Sequence, residues 1–102
     1  MPYAEPLSES ELADALARLP GWRHEGATLV RTFALSGFTA AIALVNAVAD
    51  AAEAANHHPD ICVHDYKRVT FTLSTHAASA VTRRDVDLAT EIDQLARDHG
   101  AD

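Results

Sequence analysis

Apolar positions recur at helical spacing through Phe38, Ala41, Ile42, Val45, Ala49 and Ala52, and a few residues later the chain meets Pro59. A repeat of this length predicts a helix from Phe38 to about Asn56. The residue before a proline is pushed toward extended backbone, so the sequence predicts that Pro59 stops the helix and sends the chain onward as a strand. The small residues along the repeat let the helix lie close against a sheet or another helix. Everything else is arranged before or after this element.

Before it, residues 1–7 hold two prolines and read as an irregular lead-in. Ser8 with Glu11 three residues on is a capping box, and Leu12, Leu16 and Leu19 follow at helical spacing, predicting a helix over 8–19 that ends at Pro20-Gly21. Trp22 to Leu35 reads as a hairpin turning at Gly26. Leu29, Phe33 and Leu35 share the inner face, and Arg31 interrupts it. After the long helix, Ile61 to Val63 is a short strand, with a turn or bulge at His64-Asp65. Val69, Phe71 and Leu73 then alternate with Thr70, Thr72 and Ser74, which predicts a strand with one apolar and one hydroxylated face. Thr82 and Asp85 cap a last helix carrying Leu88, Ile92, Leu95 and His99, with Gly100 as terminator. The order αββαββα predicts a single α+β domain over residues 1–102, a four-stranded antiparallel sheet with helices packed on one face.

Charge narrows the function classes. The formal net charge is −7, with eight Lys and Arg against fifteen Asp and Glu. Phosphate backbones are bound by clustered cations, so nucleic acid is not an expected partner. Neither a signal peptide nor an apolar run long enough to span a bilayer is read from the sequence, so a cytoplasmic protein without a membrane partner is expected. One cysteine, Cys62, allows no internal disulfide and reads as a small core residue. Alanine supplies much of the apolar content, so burial between subunits is expected to supplement a thin core.

The chemistry-bearing residues gather around the helix end. Glu53, His57, His58 and, after the alternating strand, His76 place three imidazoles and a carboxylate in reach of proton-transfer chemistry. If the helix reaches His57, Glu53 lies one turn before it on the same face, where a carboxylate favours the imidazolium of a general acid. The bland alternative is an ion pair at a helix C-terminus, where the dipole favours cations. For His76 it is a loop residue after a strand. A zinc site lacks supporting spacing, because adjacent histidines are awkward ligands for one tetrahedral ion. A serine or cysteine hydrolase lacks a nucleophile elbow. His24, His64 and His99 read as surface or helix-end residues, Tyr66 and Trp22 as packing.

Glu53-x-x-x-His57-His58-Pro59, Tyr66-x-x-Val69-x-x-x-Leu73-x-Thr75-His76 and Thr82-x-x-Asp85 together resemble the pterin-4a-carbinolamine dehydratases. The likeness runs from Leu12 to Leu95, and the combined His-His-Pro and Thr-His motifs at this separation are specific. It implies the αββαββα fold, assembly into homodimers or homotetramers, and elimination of water from a 4a-hydroxytetrahydropterin to give the quinonoid dihydropterin. That step recycles the pterin after an aromatic amino acid hydroxylase has used it. The pterin is the substrate, and no metal or other cofactor is implied.

By the same resemblance, His57, His58, His76 and Glu53 are the catalytic set. His57 and His76 take the acid and base roles, His58 orients the pterin, and Glu53 tunes and positions His57. His58, Thr75 and Ile61 are the substrate-binding residues. Three departures from the family pattern stand out. Ala80 replaces a common glycine, and strain is expected if that position needs positive φ. Ile61 replaces a common aromatic. The stretch from Pro59 to Tyr66 is about one residue long, with a bulge expected at His64-Asp65. The competing reading is a non-catalytic, oligomerising relative that binds a protein partner, and a weaker one is a metal-dependent enzyme on the same histidines.

Overall fold

The computed structural model describes residues 5–102, so the first four residues of the lead-in lie outside it. The elements are α1 (Glu9–Ala17), β1 (Arg23–Glu25), β2 (Thr28–Ala34), α2 (Phe38–Ala55), β3 (Asp60–His64), β4 (Arg68–Leu73) and α3 (Arg83–Asp98). The strands form one antiparallel sheet in the order β1-β2-β4-β3. The helices cover one face of it, as the element order predicted.

The alternation in β4 sets the two layers. Val69, Phe71 and Leu73 are fully buried, and they pair with Phe33, Arg31 and Leu29 of β2. Above them lie Ala41, Leu44 and Val48 of α2 and Leu88, Ala89 and Ile92 of α3. Each large apolar side chain buried this way contributes roughly 1.5–3 kcal/mol. On the opposite face Thr32 and Thr70 share a hydroxyl hydrogen bond of 2.7 Å, and His64 Nε2 contacts the Thr70 hydroxyl at 2.8 Å.

Arg31 stands among the apolar residues for a structural reason. Its guanidinium lies 4.3 Å from the Phe33 ring centroid, and its Nη1 donates to Asp93 at 3.1 Å and to the Pro20 carbonyl at 3.0 Å. Trp22 Nε1 donates to the same Asp93 oxygen at 2.8 Å. Gly21 makes room: with φ of 96°, a Cβ there would sit 2.8 Å from the guanidinium. This polar knot ties the first hairpin to α3.

Several expectations change. The long helix ends at Ala55, about where its pattern predicted, but the stop is the left-handed Asn56, three residues before Pro59. No bulge occurs at His64-Asp65. A three-residue turn, Asp65 to Lys67, joins His64 to its partner Arg68, with Asp65 and Tyr66 both at positive φ. Tyr66 is therefore 62% exposed at the turn, not packed. Cys62 faces outward on the edge strand β3 and is exposed, because Ile61 and Val63 take the core-facing parity. Finally, α2 is 18 residues long and, by length and composition, apolar enough to cross a membrane, with 22% of that span buried. Its buried side, at Ala41, Leu44, Val48, Ala51 and Ala52, enters the core, and alanine carries much of its apolarity.

Candidate active site

The site begins with the way α2 ends. Asn56 turns left-handed at φ 51°, its N–H donates to the Glu53 carbonyl at 3.2 Å, and the His57 N–H reaches the Ala52 carbonyl at 3.1 Å. These two bonds are the Schellman arrangement, which satisfies carbonyls left open by the last turn. It also takes His57 off the helix surface. The predicted contact between Glu53 and His57 is therefore not made.

Each histidine has a different partner. His57 is 8% exposed, and its Nε2 lies 2.6 Å from Asp85 Oδ1. Asp85 is fully buried at the first turn of α3. Its other oxygen accepts from the Thr75 hydroxyl and from the Thr82 N–H, both at 2.9 Å. The Thr82 and Thr75 hydroxyls are 2.7 Å apart, which completes a buried relay behind His57. A carboxylate accepts and does not donate, so the His57 Nε2–H is the donor in this bond. Among the described residues, no buried side-chain nitrogen or oxygen lacks a partner.

Glu53 pairs with His58 instead, Oε2 to Nε2 at 2.6 Å, with both side chains largely exposed. His76 opens a short 3₁₀ turn, His76–Ala78, at the end of β4 and is exposed. The three histidines meet at a cleft of about 190 Å³ that is also lined by Asn56, Ser74, Thr75, Ala77 and Arg84. His58, Ser74 and His76 are shared with an adjoining hollow of about 100 Å³, which runs onto the hydroxylated sheet face at Thr28, Asp60 and Thr72. A larger groove of about 400 Å³ lies by Leu7, His24 and Val81, but it holds none of the three histidines.

Two predicted binding residues are placed differently. Thr75 is 3% exposed and spends its hydroxyl on Asp85, so it supports His57 from behind. Ile61 pairs with Phe71 and packs against the core, and its neighbour Asp60 takes the cleft-facing parity. The anticipated strain at Ala80 is absent, because positive φ falls on Ser79 and Ala80 bridges to Thr75. Among the described residues, no three His, Cys, Asp or Glu side chains gather as ligands for a metal ion.

Sequence reasoning took Asp85 for a helix cap and assigned it no role in the site. The signal available was its shorter side chain at the third helical position, where Glu or Gln is usual. Nothing local tells that His57, 28 residues earlier, would reach it.

Comparison with known proteins bears on the whole chain. A family model described as pterin 4 alpha carbinolamine dehydratase matches residues 5–95. A Nocardia farcinica protein named for pterin-4-alpha-carbinolamine dehydratase is 54% identical over 93 residues, covering 91% of this chain and 97% of its own. A Chloroflexus aurantiacus protein with the same name is 51% identical over 89 residues, covering 87% and 95%. The crystal structure of a Brucella melitensis transcriptional coactivator/pterin dehydratase superposes with a TM-score of 0.85 at 33% identity, over 90% of this chain and 99% of that one. A pterin dehydratase-like RuBisCO assembly factor of the alpha-carboxysome shares the fold, with a TM-score of 0.61 at 22% identity over 74% of this chain and 86% of that one. The chain belongs to the pterin-4-alpha-carbinolamine dehydratase family.

Proposed function

We propose that the chain dehydrates a 4a-hydroxytetrahydropterin to the quinonoid dihydropterin, using its histidines as general acid and base. The observation that carries this reading is the buried His57–Asp85 pair opening onto a cleft shared with His58 and His76. Hydroxide is a poor leaving group, so an acid must protonate the 4a-hydroxyl as the carbon–oxygen bond breaks and water departs. A base must take one proton from a pterin ring nitrogen, whose electron pair forms the new double bond. His57 suits the base role, since Asp85 holds the proton of the neutral imidazole on Nε2 and so turns Nδ1 into the accepting nitrogen. His76, exposed in the same cleft, suits the acid. His58, braced by Glu53 at the rim, orients the pterin, and Ser74, Thr72 and Asp60 offer polar contacts to its ring edge. The residues need neither a metal nor another cofactor for these steps. The role is pterin recycling beside an aromatic amino acid hydroxylase.

We further propose a homodimer or homotetramer. Phe38 and Ile42 are 56% and 36% exposed on one stripe of α2, which suits burial against a second copy. The same stripe supports the competing reading of a module that docks a protein partner.

The test is the decay of a 4a-hydroxytetrahydropterin followed by absorbance, with chelator-treated protein. Accelerated decay that falls about 10²–10⁴-fold in both His57→Ala and His76→Ala supports the reading. Wild-type protein that neither accelerates the decay nor binds a pterin would leave the docking module standing. Activity that returns only with added zinc would favour metal chemistry.

A further inference from the structure

Arg84 lies beside Asp85 in the first turn of α3, and its Nη2 donates to the Asn56 carbonyl at 2.7 Å. Two consecutive residues of one helix thus grip two consecutive residues of another segment. Arg84 holds the Asn56 carbonyl, and Asp85 holds the His57 imidazole at 2.6 Å. Residues 57–59 belong to neither helix nor strand, and the Asn56–His57 peptide is held on its N–H side by the His57 bond to the Ala52 carbonyl at 3.1 Å. The Asn56–His57 peptide plane sets where both imidazoles point, and Arg84 is its external tether.

We propose that Arg84 is a positioning residue for the imidazole pair: with Asp85 it forms a two-point clamp that holds His57 and His58 in their diverging orientations. This rests on the dehydratase reading and adds to it a residue that touches no reacting atom in the mechanism above. A guanidinium is a rigid planar donor array, so one arm can hold the carbonyl while the plane stays set along the cleft wall. Lysine offers a flexible point charge with no such plane. Mispositioning of catalytic groups by about 1 Å costs on the order of 10²-fold in rate.

The test compares Arg84→Ala, Arg84→Lys and, as a control, Arg83→Ala, measuring kcat, KM and thermal midpoint, with and without added guanidinium ion. The clamp predicts that kcat falls about 10–100-fold in Arg84→Ala, with KM and the thermal midpoint little changed. It also predicts partial recovery when guanidinium is added, a smaller deficit in Arg84→Lys, and wild-type behaviour in Arg83→Ala. A wild-type kcat in Arg84→Ala overturns the inference. So does a loss that tracks the thermal midpoint and ignores guanidinium. If the wild-type protein itself shows no dehydration, the dehydratase reading fails, and the clamp is judged by the imidazole NMR signals of His57 and His58. Signals that stay in place in Arg84→Ala overturn it, and signals that shift there but not in Arg83→Ala support it.

Discussion

Two helices of this chain start with the same device, and only one start became part of a site. At α1, Ser8 accepts from the Glu11 N–H at 3.1 Å while the Glu11 carboxylate accepts from the Ser8 N–H at 2.9 Å. At α3, Thr82 and Asp85 make the reciprocal pair, with the Thr82 N–H 2.9 Å from Asp85. Glu11 stands in water, where its carboxylate serves the cap and feels only the charge of Arg83 besides. Asp85 is fully buried, and one shorter side chain leaves an oxygen for His57 and a place for the Thr75 hydroxyl. The caps differ by one residue, since Thr82 Oγ1 accepts from the Arg84 N–H at 3.2 Å; what separates the two sites is burial and a partner from another segment. A cap becomes a candidate catalytic support when packing brings an imidazole to the carboxylate's unused side.

The sharpest way to break the comparison is to remove the buried carboxylate. Asp85→Ala strands the His57 imidazole, the Thr75 hydroxyl and the Thr82 N–H at once, so unfolding by denaturant should show a loss of about 3–5 kcal/mol. Turnover should vanish with it. Asp85→Glu restores the usual capping acid but overfills the pocket. The expected stability loss is smaller, about 1–3 kcal/mol. Turnover should still fall at least about tenfold, because the imidazole is displaced. A fully active Asp85→Glu enzyme would show that the capping acid's length is irrelevant to the site.

The exposed pair Glu53–His58 has the same 2.6 Å separation as the buried one, and it should behave very differently. Surface ion pairs contribute about 0–1 kcal/mol, so Glu53→Gln should change unfolding free energy by no more than that. Its effect on turnover should be well under that of His57→Ala. A loss equal to that of His57→Ala would return Glu53 to the centre of the mechanism.

The smallest effect belongs to α1. The Ser8 N–H holds the Glu11 carboxyl below its usual value, so its contribution is complete above the unfolded value near 4.5 and is lost as pH falls through the lower folded value. Glu11→Gln should flatten the acid limb of a stability–pH curve and leave turnover at neutral pH unchanged. An acid limb identical to wild type would mean the cap carries no stability.

The parts of the fold legible in sequence were those dictated by local pattern. The Ser8-Glu11 box, the Val69-Phe71-Leu73 alternation and the Gly100 terminus each follow from residues within a turn or two of one another. The three histidines were also legible, because their types and spacing are unusual. What escaped were contacts set by packing. Pro59 carries the strongest stop signal, yet Asn56 ends α2 first, since a left-handed asparagine lets the last carbonyls be satisfied. The helix end falls where expected, but the left-handed turn at Asn56 takes His57 off the helix surface, so Glu53 pairs with His58 instead. Ile61 and Cys62 exchanged their expected faces for a similar reason: the register of β3 against β4 puts Ile61 opposite Phe71, and neighbour strands fix parity in a way a three-residue apolar run does not.

The clamp at the end of α2 has a consequence for how activity returns after denaturation. Its two halves come from segments 28 residues apart, and neither His57 nor Asp85 has its partner until α3 lies against α2. Secondary structure can recover before that docking, but the proposed turnover, which needs the His57–Asp85 pair, cannot. Regain of activity in a refolding experiment therefore clocks the closing of the helical layer, and a lag behind the far-ultraviolet signal measures how long the two helices take to find each other.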